Sequence, residues 1–395
     1  MALALLGIII GASGLGFGAY STMQVETGAI DGENGDDGDD GSAGKDGTDW
    51  QAPPNVHYCS SQTEIEDSLD TIGMGHGTII ITDNITLSSQ IDINDGGNYI
   101  IRGASPVTID RNANDETFNI TNVQSLTLKD LIIDTNGITS ISHSGIHVSE
   151  GNNNPVYIQN VQIGGGDSGV GIYVNSENVW IENCIIETLR YGIFLDSSSA
   201  YCHILDNSLR KMNPSSGNVY GIFAYHSKFN TISGNIVNTI KGSAYAVGIR
   251  TEYSDFNTIS GNIIDNIYGN SPRGFYIYRS DNNTISGNVV YNISSSDGNS
   301  IGITIGSSEG NIVTDNKVNM IITSVLEARG ISLSSCGFHI ISGNVIRNVQ
   351  ALTFIYGIKG ELIDYNVIIG NVLNNCGLID VTGVGNVITD NVEVP

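Results

Sequence analysis

Short runs of alternating apolar and polar residues fill the chain from about residue 80 onward, as in Gly248-Ile-Arg-Thr and Ile259-Ser-Gly-Asn-Ile-Ile. Alternation with a period of two is typical of β-strands, whereas amphipathic helices repeat every three to four residues. No helical period persists for ten residues between residues 80 and 395. The pattern therefore predicts short strands joined by turns that are rich in Gly, Asn, Ser and Asp.

The predicted strands belong to a sequence repeat with fixed internal spacing. Six times in succession a glycine precedes an asparagine by fourteen residues. The pairs are Gly221/Asn235, Gly248/Asn262, Gly274/Asn288, Gly302/Asn316, Gly330/Asn344 and Gly357/Asn371. Weaker copies carry Asp130, Asn160, Asn183 and Asn391, which brings the number of units to ten or eleven. Because one such unit cannot bury its apolar face alone, the units must stack as coils.

Equivalent residues of stacked parallel strands lie about 4.8 Å apart and form columns along the stack. We expect the column one residue past the glycine to face the core, since it reads Ile193, Ile222, Ile249, Phe275, Ile303, Ile331 and Ile358. Asparagines nine residues past the glycine and serines six past it should form hydrogen-bonded ladders in the turns. These are Asn230, Asn257, Asn283 and Asn311, together with Ser198, Ser227, Ser254, Ser280 and Ser308.

A short helix is predicted just before the repeat. Ser61-Gln-Thr-Glu64 has the spacing of a capping box, and Ile65, Leu69 and Ile72 follow at helical intervals. An amphipathic helix at this point would cover the open edge of the first coil.

The segments Asn230-Thr-Ile-Ser-Gly-Asn235, Asn257-Thr-Ile-Ser-Gly-Asn262 and Asn283-Thr-Ile-Ser-Gly-Asn288, with Gly-Ile pairs between them, resemble the right-handed parallel β-helix proteins of the pectate-lyase-like superfamily. They look most like its carbohydrate-binding and sugar-hydrolase (CASH-type) subgroup. The resemblance covers about residues 55–395 and implies an all-β, right-handed, single-stranded parallel β-helix with a carbohydrate partner. The matching residues belong to the scaffold of the coil. The paired aspartates of polygalacturonases and the arginine motif of pectate lyases have no recognisable counterpart here.

The sequence divides into three regions, residues 1–24, 25–54 and 55–395. Residues 1–23 carry no charged side chain, and a helix of that length would just span a bilayer core of about 30 Å. Two Gly-x-x-x-Gly pairs, Gly7/Gly11 and Gly14/Gly18, would lie on one face of it and let helices approach closely. We interpret residues 1–24 as a transmembrane anchor, with a cleaved signal segment as the alternative, and expect a membrane-anchored or secreted protein at the cell surface.

Residues 25–54 contain six Gly-x-y triplets in strict register from Gly32 onward. Glycine at every third position is the collagen pattern, but the triplets contain no proline, and residues 31–49 carry eight acids against Lys45. The segment is interpreted as an extended acidic spacer. The alternative is a collagen-like trimer, ordered by divalent cations or by trimerisation of the flanking regions, which would make the protein a homotrimer.

The formal net charge of −25 makes nucleic acid an unfavourable partner and favours cations or cationic surfaces. Five scattered cysteines, Cys59, Cys184, Cys202, Cys336 and Cys376, suggest small residues of the core rather than a disulfide framework or a zinc site.

The positions two and four residues past each glycine should point outward, and in the central coils they are aromatic or charged. Aromatic rings stack on the apolar faces of sugar rings, and charged groups bind hydroxyls or uronates. Aromatic cross-strand pairs also occur on ordinary β-surfaces, so a purely structural role stays open. The candidate carbohydrate-binding residues are Tyr173, Phe194, Phe223, Tyr225, Arg250, Glu252, Tyr276 and Tyr278.

A column of carboxylates, Asp255, Asp281 and Glu309, follows Lys228 seven residues past the glycine. Stacked acids repel one another unless a cation bridges them, and pectate lyases that resemble this fold bind Ca²⁺ through such acids. The column is therefore a candidate Ca²⁺ site. The alternative is that each acid is a solvated turn residue.

Candidate catalytic residues lie on the same coils. Asp196 and Glu252 share one column two coils apart, at roughly 10 Å, near the upper limit for an inverting carboxylate pair. Arg250 or Arg279 could act as the base of a lyase, with His226 as a neighbour. A further branch of the superfamily serves copper-site maturation, and only His143 and His147 are close enough in sequence to share a face.

These observations predict a membrane-tethered β-helix that binds polysaccharide or another cell-surface partner along its aromatic strand face. The alternatives are a polysaccharide lyase or glycoside hydrolase that uses the same face, and a structural subunit of a surface layer or filament.

Overall fold

The computed structural model describes residues 55–394 apart from Asn112, Gly151 and Asn153. The predicted anchor and the acidic spacer lie outside the described residues. Within the described part of the chain, no helix is long and apolar enough to cross a bilayer.

Each coil contributes up to three short strands, and these strands line up in two extended sheets. Neighbouring strands within each sheet are parallel, as in the pairings of Tyr220 with Val247 and of Ile232 with Ile259. Sheet 1 contains the first two strands of each coil: Val56–Cys59, His76–Ile81, Ile85–Thr86, Asn98–Asp110, Ser125–Asp134, Val156–Gln159, Gln162–Gly164, Val179–Glu182, Ile185–Glu187, His203–Leu205, Ser208–Met212, Thr231–Ser233, Ile236–Gly242, Thr258–Ser260, Ile263–Gly269, Thr284–Ser286, Val289–Ser295, Ile312–Thr314, Lys317–Thr323, Ile340–Ser342, Val345–Gln350, Val367–Ile369, Val372–Asn374, Val387–Thr389 and Val392–Val394.

Sheet 2 contains the strands that carry the glycine-isoleucine pairs. Its twelve rungs are Ile91–Ile93, Phe118–Ile120, Ser144–Val148, Val170–Val174, Tyr191–Leu195, Val219–Tyr225, Ala246–Glu252, Arg273–Tyr278, Ser300–Gly306, Glu327–Gly337, Phe354–Asp364 and Leu378–Val381. The predicted all-β stack of parallel coils is thus confirmed. The sheet has twelve rungs where the repeat predicts ten or eleven units, because rungs such as Ile91–Ile93 carry no glycine-isoleucine pair.

The predicted core column forms the inner face of sheet 2. Ile193 pairs with Ile222 and Ile222 with Ile249, and all seven residues of the column are fully buried. They join one continuous core with the inward residues of sheet 1. All five cysteines are free and buried, as predicted.

Buried asparagines connect the coils through a continuous ladder. The Nδ2 atom of Asn235 donates to Oδ1 of Asn262 at 2.9 Å, and Asn262 donates to Asn288 at 3.0 Å in the same way. A second ladder runs through Asn230 and Asn257, whose side-chain oxygens accept backbone N–H groups of the preceding coil. These side chains satisfy turn groups that would otherwise be buried without partners.

The serine ladder also forms, with Ser227 N donating to Ser254 Oγ at 3.0 Å. In the preceding coil Ser199, not the predicted Ser198, occupies this column, since Ser227 Oγ donates to the Ser199 carbonyl. The turn after Asp196 is one residue longer there, as the bridge between Ala200 and Lys228 shows.

The predicted helix, α1, spans Gln62–Ile72. Ser61 caps it by accepting a hydrogen bond from Glu64 N, and the Glu64 carboxylate accepts one from Ser60 N. Ile65 and Leu69 are buried in the same core as the coils. The helix therefore closes the core at its first coil.

The repeated glycine determines which side chains face outward on sheet 2. A Cβ atom at Gly248 would lie 2.6 Å from the Ile264 side chain and 2.8 Å from the Gly274 carbonyl, so this position points into the core. The next residue, Ile249, also points inward. The glycine and the residue after it thus both face inward, which interrupts the alternation of the strand. As a result, the residue before the glycine faces outward.

Candidate functional site

The outward side of sheet 2, here called the outer face, carries three columns of side chains. They lie one residue before, two residues past and four residues past the glycine of each coil. In the central coils the columns contain Val170, Tyr191, Tyr220, Val247 and Arg273, then Tyr173, Phe194, Phe223, Arg250 and Tyr276, and then Asp196, Tyr225, Glu252 and Tyr278. All eight predicted carbohydrate-binding residues therefore lie on this face.

Aromatic rings in the middle of the outer face pack on one another and form an apolar cluster separate from the core. The rings of Phe194 and Phe223 are stacked with centres 5.1 Å apart, and Tyr173 meets Phe194 edge-on at 5.2 Å. Phe223 is only 8% exposed because Tyr220 and Tyr191 pack beside it. Its role within the face is thus to support the more exposed rings.

Arg250 lies among three of these rings, with its guanidinium carbon 5.0 Å from the centres of Tyr220 and Phe223 and 5.1 Å from that of Tyr276. Its Nη1 atom donates to the Tyr220 hydroxyl at 2.6 Å, and Nη2 donates to Glu252 at 2.5 Å. The structure therefore brings the predicted Arg250 and Glu252 together as an ion pair on an aromatic support.

Arg273 occupies the next rung of the outer face without a carboxylate partner among the described residues. Its guanidinium carbon lies 4.1 Å from the centre of the Tyr276 ring and 5.2 Å from that of Tyr245. Its Nε and Nη1 atoms are buried and have no hydrogen-bond partner. Burial lowers the pKa of Arg273, and the positive charge of Arg250 lowers it further. Among the described residues, the charge of this guanidinium is therefore balanced by aromatic rings and not by a carboxylate.

Tyr173 and Asp196 form a hydrogen-bonded pair at the other end of the aromatic cluster. The Tyr173 hydroxyl donates to Asp196 Oδ2, and the edge of the His147 imidazole contacts the Tyr173 ring at 4.7 Å between centres. Burial and the hydrogen bond to Asp196 raise the pKa of Tyr173. Asp196 accepts a hydrogen bond from Tyr173, whereas Glu252, two rungs away, accepts one from Arg250. The structure therefore does not bring the two carboxylates together as a pair.

His226 and Arg279 lie at the rim of the outer face, in the turn after the outward column. The His226 ring stacks on Tyr253 with centres 4.6 Å apart, and Arg279 Nη1 donates to the Tyr253 hydroxyl. That hydrogen bond raises the pKa of Arg279. These two candidates are thus joined through Tyr253 rather than through Asp196 or Glu252.

The carboxylates of the predicted column interact mainly with other groups of the protein. Lys228 Nζ lies 2.7 Å from Asp255 Oδ2, and Asp255 Oδ1 accepts the backbone N–H of Asp281 at 2.9 Å. Asp281 Oδ1 in turn accepts the N–H of Glu309 at 2.7 Å. Through these contacts the acids connect the turns of successive coils. Among the described residues, three potential metal-ligating atoms come close together only in a different group, which consists of Asp115, Glu116 and His143.

Sequence reasoning missed the column before the glycine, which contributes Tyr191, Tyr220 and Arg273 to the outer face. Simple alternation places that column inside, because the isoleucine two residues later is inside. The available signal was its composition, since tyrosine and arginine at Tyr191, Tyr220 and Arg273 are poorly suited to a narrow aliphatic core.

A family model described as "Periplasmic copper-binding protein (NosD)" matches residues 129–320 of the chain. The fold is similar to that of the A-module of a mannuronan C-5 epimerase from Azotobacter vinelandii, with 13% identity, 86% of this chain and 97% of that chain covered, and a TM-score of 0.61. It is also similar to DFA-IIIase from Arthrobacter chlorophenolicus, with 12% identity, coverage of 84% and 93%, and a TM-score of 0.56.

A third similar structure is PfbA, a surface adhesin of Streptococcus pneumoniae, with 13% identity, coverage of 82% and 87%, and a TM-score of 0.53. No curated protein matches the sequence at a significant level. Together with the observed coils, these similarities show the predicted right-handed parallel β-helix fold.

Proposed function

We propose that the protein binds an acidic polysaccharide along the outer face of sheet 2. The observation that carries the proposal is the guanidinium of Arg273, which is largely buried between aromatic rings and has no carboxylate partner in the part of the chain that the structure describes. A guanidinium that is balanced by aromatic rings alone is less stabilised than one that is paired with a carboxylate, so an anionic ligand would gain a strong, charge-assisted hydrogen bond there.

Further rings of the outer face supply the rest of a sugar site. Tyr276 and Tyr278 lie on the rung of Arg273, Tyr225 lies two rungs away, and all three are partly exposed. Partly exposed rings can stack on the apolar side of pyranoses, while their hydroxyl groups bind sugar hydroxyls. Because the columns repeat about every 4.8 Å, a chain-like ligand that crosses the rungs would meet similar groups on successive coils.

The similar proteins support this proposal only in general terms. One is a mannuronan C-5 epimerase and another is a surface adhesin. We infer that the chain acts outside the cytoplasm, with residues 1–24 as its membrane anchor and residues 25–54 as an acidic spacer. Proteolysis of intact cells, followed by detection of the protein in membrane and soluble fractions, tests this placement.

The binding proposal is tested by affinity electrophoresis against acidic and neutral polysaccharides. We expect acidic polymers to retard the protein, and the combined changes Tyr225→Ala, Tyr276→Ala and Tyr278→Ala to abolish the retardation without unfolding. The matched control changes three exposed tyrosines outside the face, Tyr201, Tyr268 and Tyr365, which are 50%, 40% and 55% exposed. Equal retardation of both triple variants would refute the proposal.

A second candidate function is polysaccharide cleavage at the same face. It is favoured by the Tyr173 hydroxyl, which is hydrogen-bonded to Asp196 and lies beside His147, since such groups can move a proton to or from a bound sugar. New absorbance from unsaturated uronates, or release of reducing ends, would show this activity. The change Tyr173→Phe keeps the ring for stacking and removes the hydroxyl, so it should abolish this activity while most of the binding is retained.

A further inference from the structure

Four side chains with metal-binding groups meet at the N-terminal end of the outer face. Asp115 and Glu116 lie just before the rung Phe118–Ile120. His143 immediately precedes the next rung, Ser144–Val148, and His147 lies within it. Single ligand atoms from Asp115, Glu116 and His143 all lie within 4.8 Å of one another. The topology thus brings together residues that are 28 positions apart in the sequence.

The two imidazoles face the two oxygens of a single carboxylate. Nδ1 of His143 lies 3.6 Å from Glu116 Oε2, and Nδ1 of His147 lies 3.6 Å from Glu116 Oε1. Both separations exceed the length of a hydrogen bond. The Nδ1 atom of His143 is buried and has no hydrogen-bond partner. Nδ1 of His143 and the Glu116 oxygen can both accept, so a cation or a proton is needed between these two atoms.

The gap has the size that a metal ion requires. Zinc binds imidazole nitrogen at about 2.0–2.1 Å and carboxylate oxygen at about 2.0–2.2 Å, which places two ligand atoms of a tetrahedral site about 3.4 Å apart. The observed separation between His143 and Glu116 is close to this value. An ion can reach the cluster from solvent, since the side chains of His143 and His147 are 28% and 27% exposed.

Neighbouring groups of the protein also hold the Asp115 carboxylate and the His147 imidazole in place. Arg111, which is buried, lies with Nη2 at 3.3 Å from Asp115 Oδ2, and the backbone N–H of Glu116 donates to Asp115 Oδ1 at 3.0 Å. The Tyr173 ring supports His147 through their edge contact. Supporting contacts of this kind hold ligands in place around metal sites.

We propose that Asp115, Glu116 and His143 bind a divalent transition-metal ion of the Zn²⁺ class, and that His147 positions the Glu116 carboxylate. A mixed nitrogen and oxygen donor set favours such ions over Ca²⁺ and Mg²⁺, which prefer oxygen alone. This site is independent of the proposed polysaccharide binding.

The test is calorimetric titration of the EDTA-treated full chain with Zn²⁺, together with the visible spectrum of the Co²⁺ form. We expect one tight equivalent in the native protein. His143→Ala and the nearly isosteric Glu116→Gln should weaken it by about 100-fold or more, and His147→Ala by the about 10–100-fold typical of a supporting residue. The matched controls His203→Ala and Glu309→Gln should bind as the native protein does.

Two results would overturn the proposal. One is that the native protein does not bind one equivalent of Zn²⁺ tightly. The other is tight binding that persists unchanged in His143→Ala and Glu116→Gln, which would assign the ion to other acids, such as those of residues 31–49. Thermal melts show whether each variant is folded. If an alanine variant does not fold, the nearly isosteric Glu116→Gln variant still decides the test.

Discussion

The guanidinium of Arg273 covers the ring of Tyr276 at 4.1 Å from its centre. Arg250 approaches the same ring at 5.1 Å, so two positive charges share one aromatic side chain. Of the two arginines, only Arg250 has a carboxylate partner within the described residues, namely Glu252. In a chain with a net charge of −25, this part of the outer face is a local region of positive charge that is suited to an anion.

Replacement of Arg273 by methionine should abolish retardation by acidic polysaccharides while leaving the protein as stable as before, or more stable. Methionine has a stem of similar length and removes two buried nitrogens that have no hydrogen-bond partner among the described residues, at the loss of the guanidinium contacts with Tyr245 and Tyr276. Replacement of a buried charged group by an apolar one is often neutral or stabilising. Affinity electrophoresis and thermal melts measure the two effects. The control is Arg347→Met, an exposed arginine of sheet 1. A large loss of thermal stability in Arg273→Met would show that the guanidinium is satisfied by the protein itself.

The asparagine ladder predicts that Asn262→Ala is strongly destabilising. Asn262 is fully buried and donates to the Ile232 carbonyl at 2.9 Å, while its Oδ1 atom accepts from Asn235 N and Nδ2. Alanine leaves these groups buried without partners, at about 1–3 kcal/mol for each group. We expect the free energy of unfolding to fall by about 3 kcal/mol or more in urea titrations.

Asn270 is the matched control for this change, because it is exposed in a turn of the same coil region. Asn270→Ala should change the free energy of unfolding by less than about 0.5 kcal/mol. If both variants lose the same stability, the ladder has no special role.

His339 takes the place of asparagine in the second ladder and predicts a dependence of stability on pH. Its Nδ1 atom accepts the backbone N–H of Asn311 at 2.9 Å, and its Nε2 atom is buried without a partner. Burial lowers the pKa of His339 to about 4, against an ordinary value of about 6.5. Between these two pH values the unfolded chain binds a proton that the folded chain does not. The free energy of unfolding should therefore fall by about 3 kcal/mol as the pH drops from 6.5 to 4, and this histidine should have no such effect above that range.

The change His339→Asn restores the residue that other coils use and should remove this part of the pH dependence. Its amide can accept from Asn311 N and donate to a carbonyl of the preceding coil, as Asn311 does with Ser280 at 2.9 Å. Thermal melts at pH 7.5 and 4.5 compare it with the native protein and with His76→Asn, a variant of an exposed histidine. An unchanged difference between the two pH values in His339→Asn would contradict the prediction.

The repeat made the fold predictable because equivalent residues meet the same surroundings in every coil. The isoleucine column and the asparagine ladders repeat at fixed spacing, so Ile249 and Asn262 could be placed without coordinates. The outer face was only half predictable, since the glycine break turns Tyr220 and Arg273 outward against the simple alternation. Phe223 was placed on the correct side, but its burial depends on rings from neighbouring coils that a single column does not show.

The metal-ligating cluster was the part least accessible from sequence. His143 and His147 stood out as a pair, but Asp115 and Glu116 lie in a coil that lacks the repeat motif, so no spacing rule connected them. Only the pairing of Asn119 with His147 across adjacent rungs brings the four side chains together.

Coils that contact mainly their immediate neighbours give the molecule a simple route to change its size. Duplication of one unit, such as residues 248–273, would insert a rung whose glycine, isoleucine and asparagine find the same partners above and below. Each inserted unit would extend the outer face by about 4.8 Å and leave the flanking rungs intact. The length of ligand that such a surface can hold would then grow in discrete steps, set by gene duplication rather than by redesign of the core.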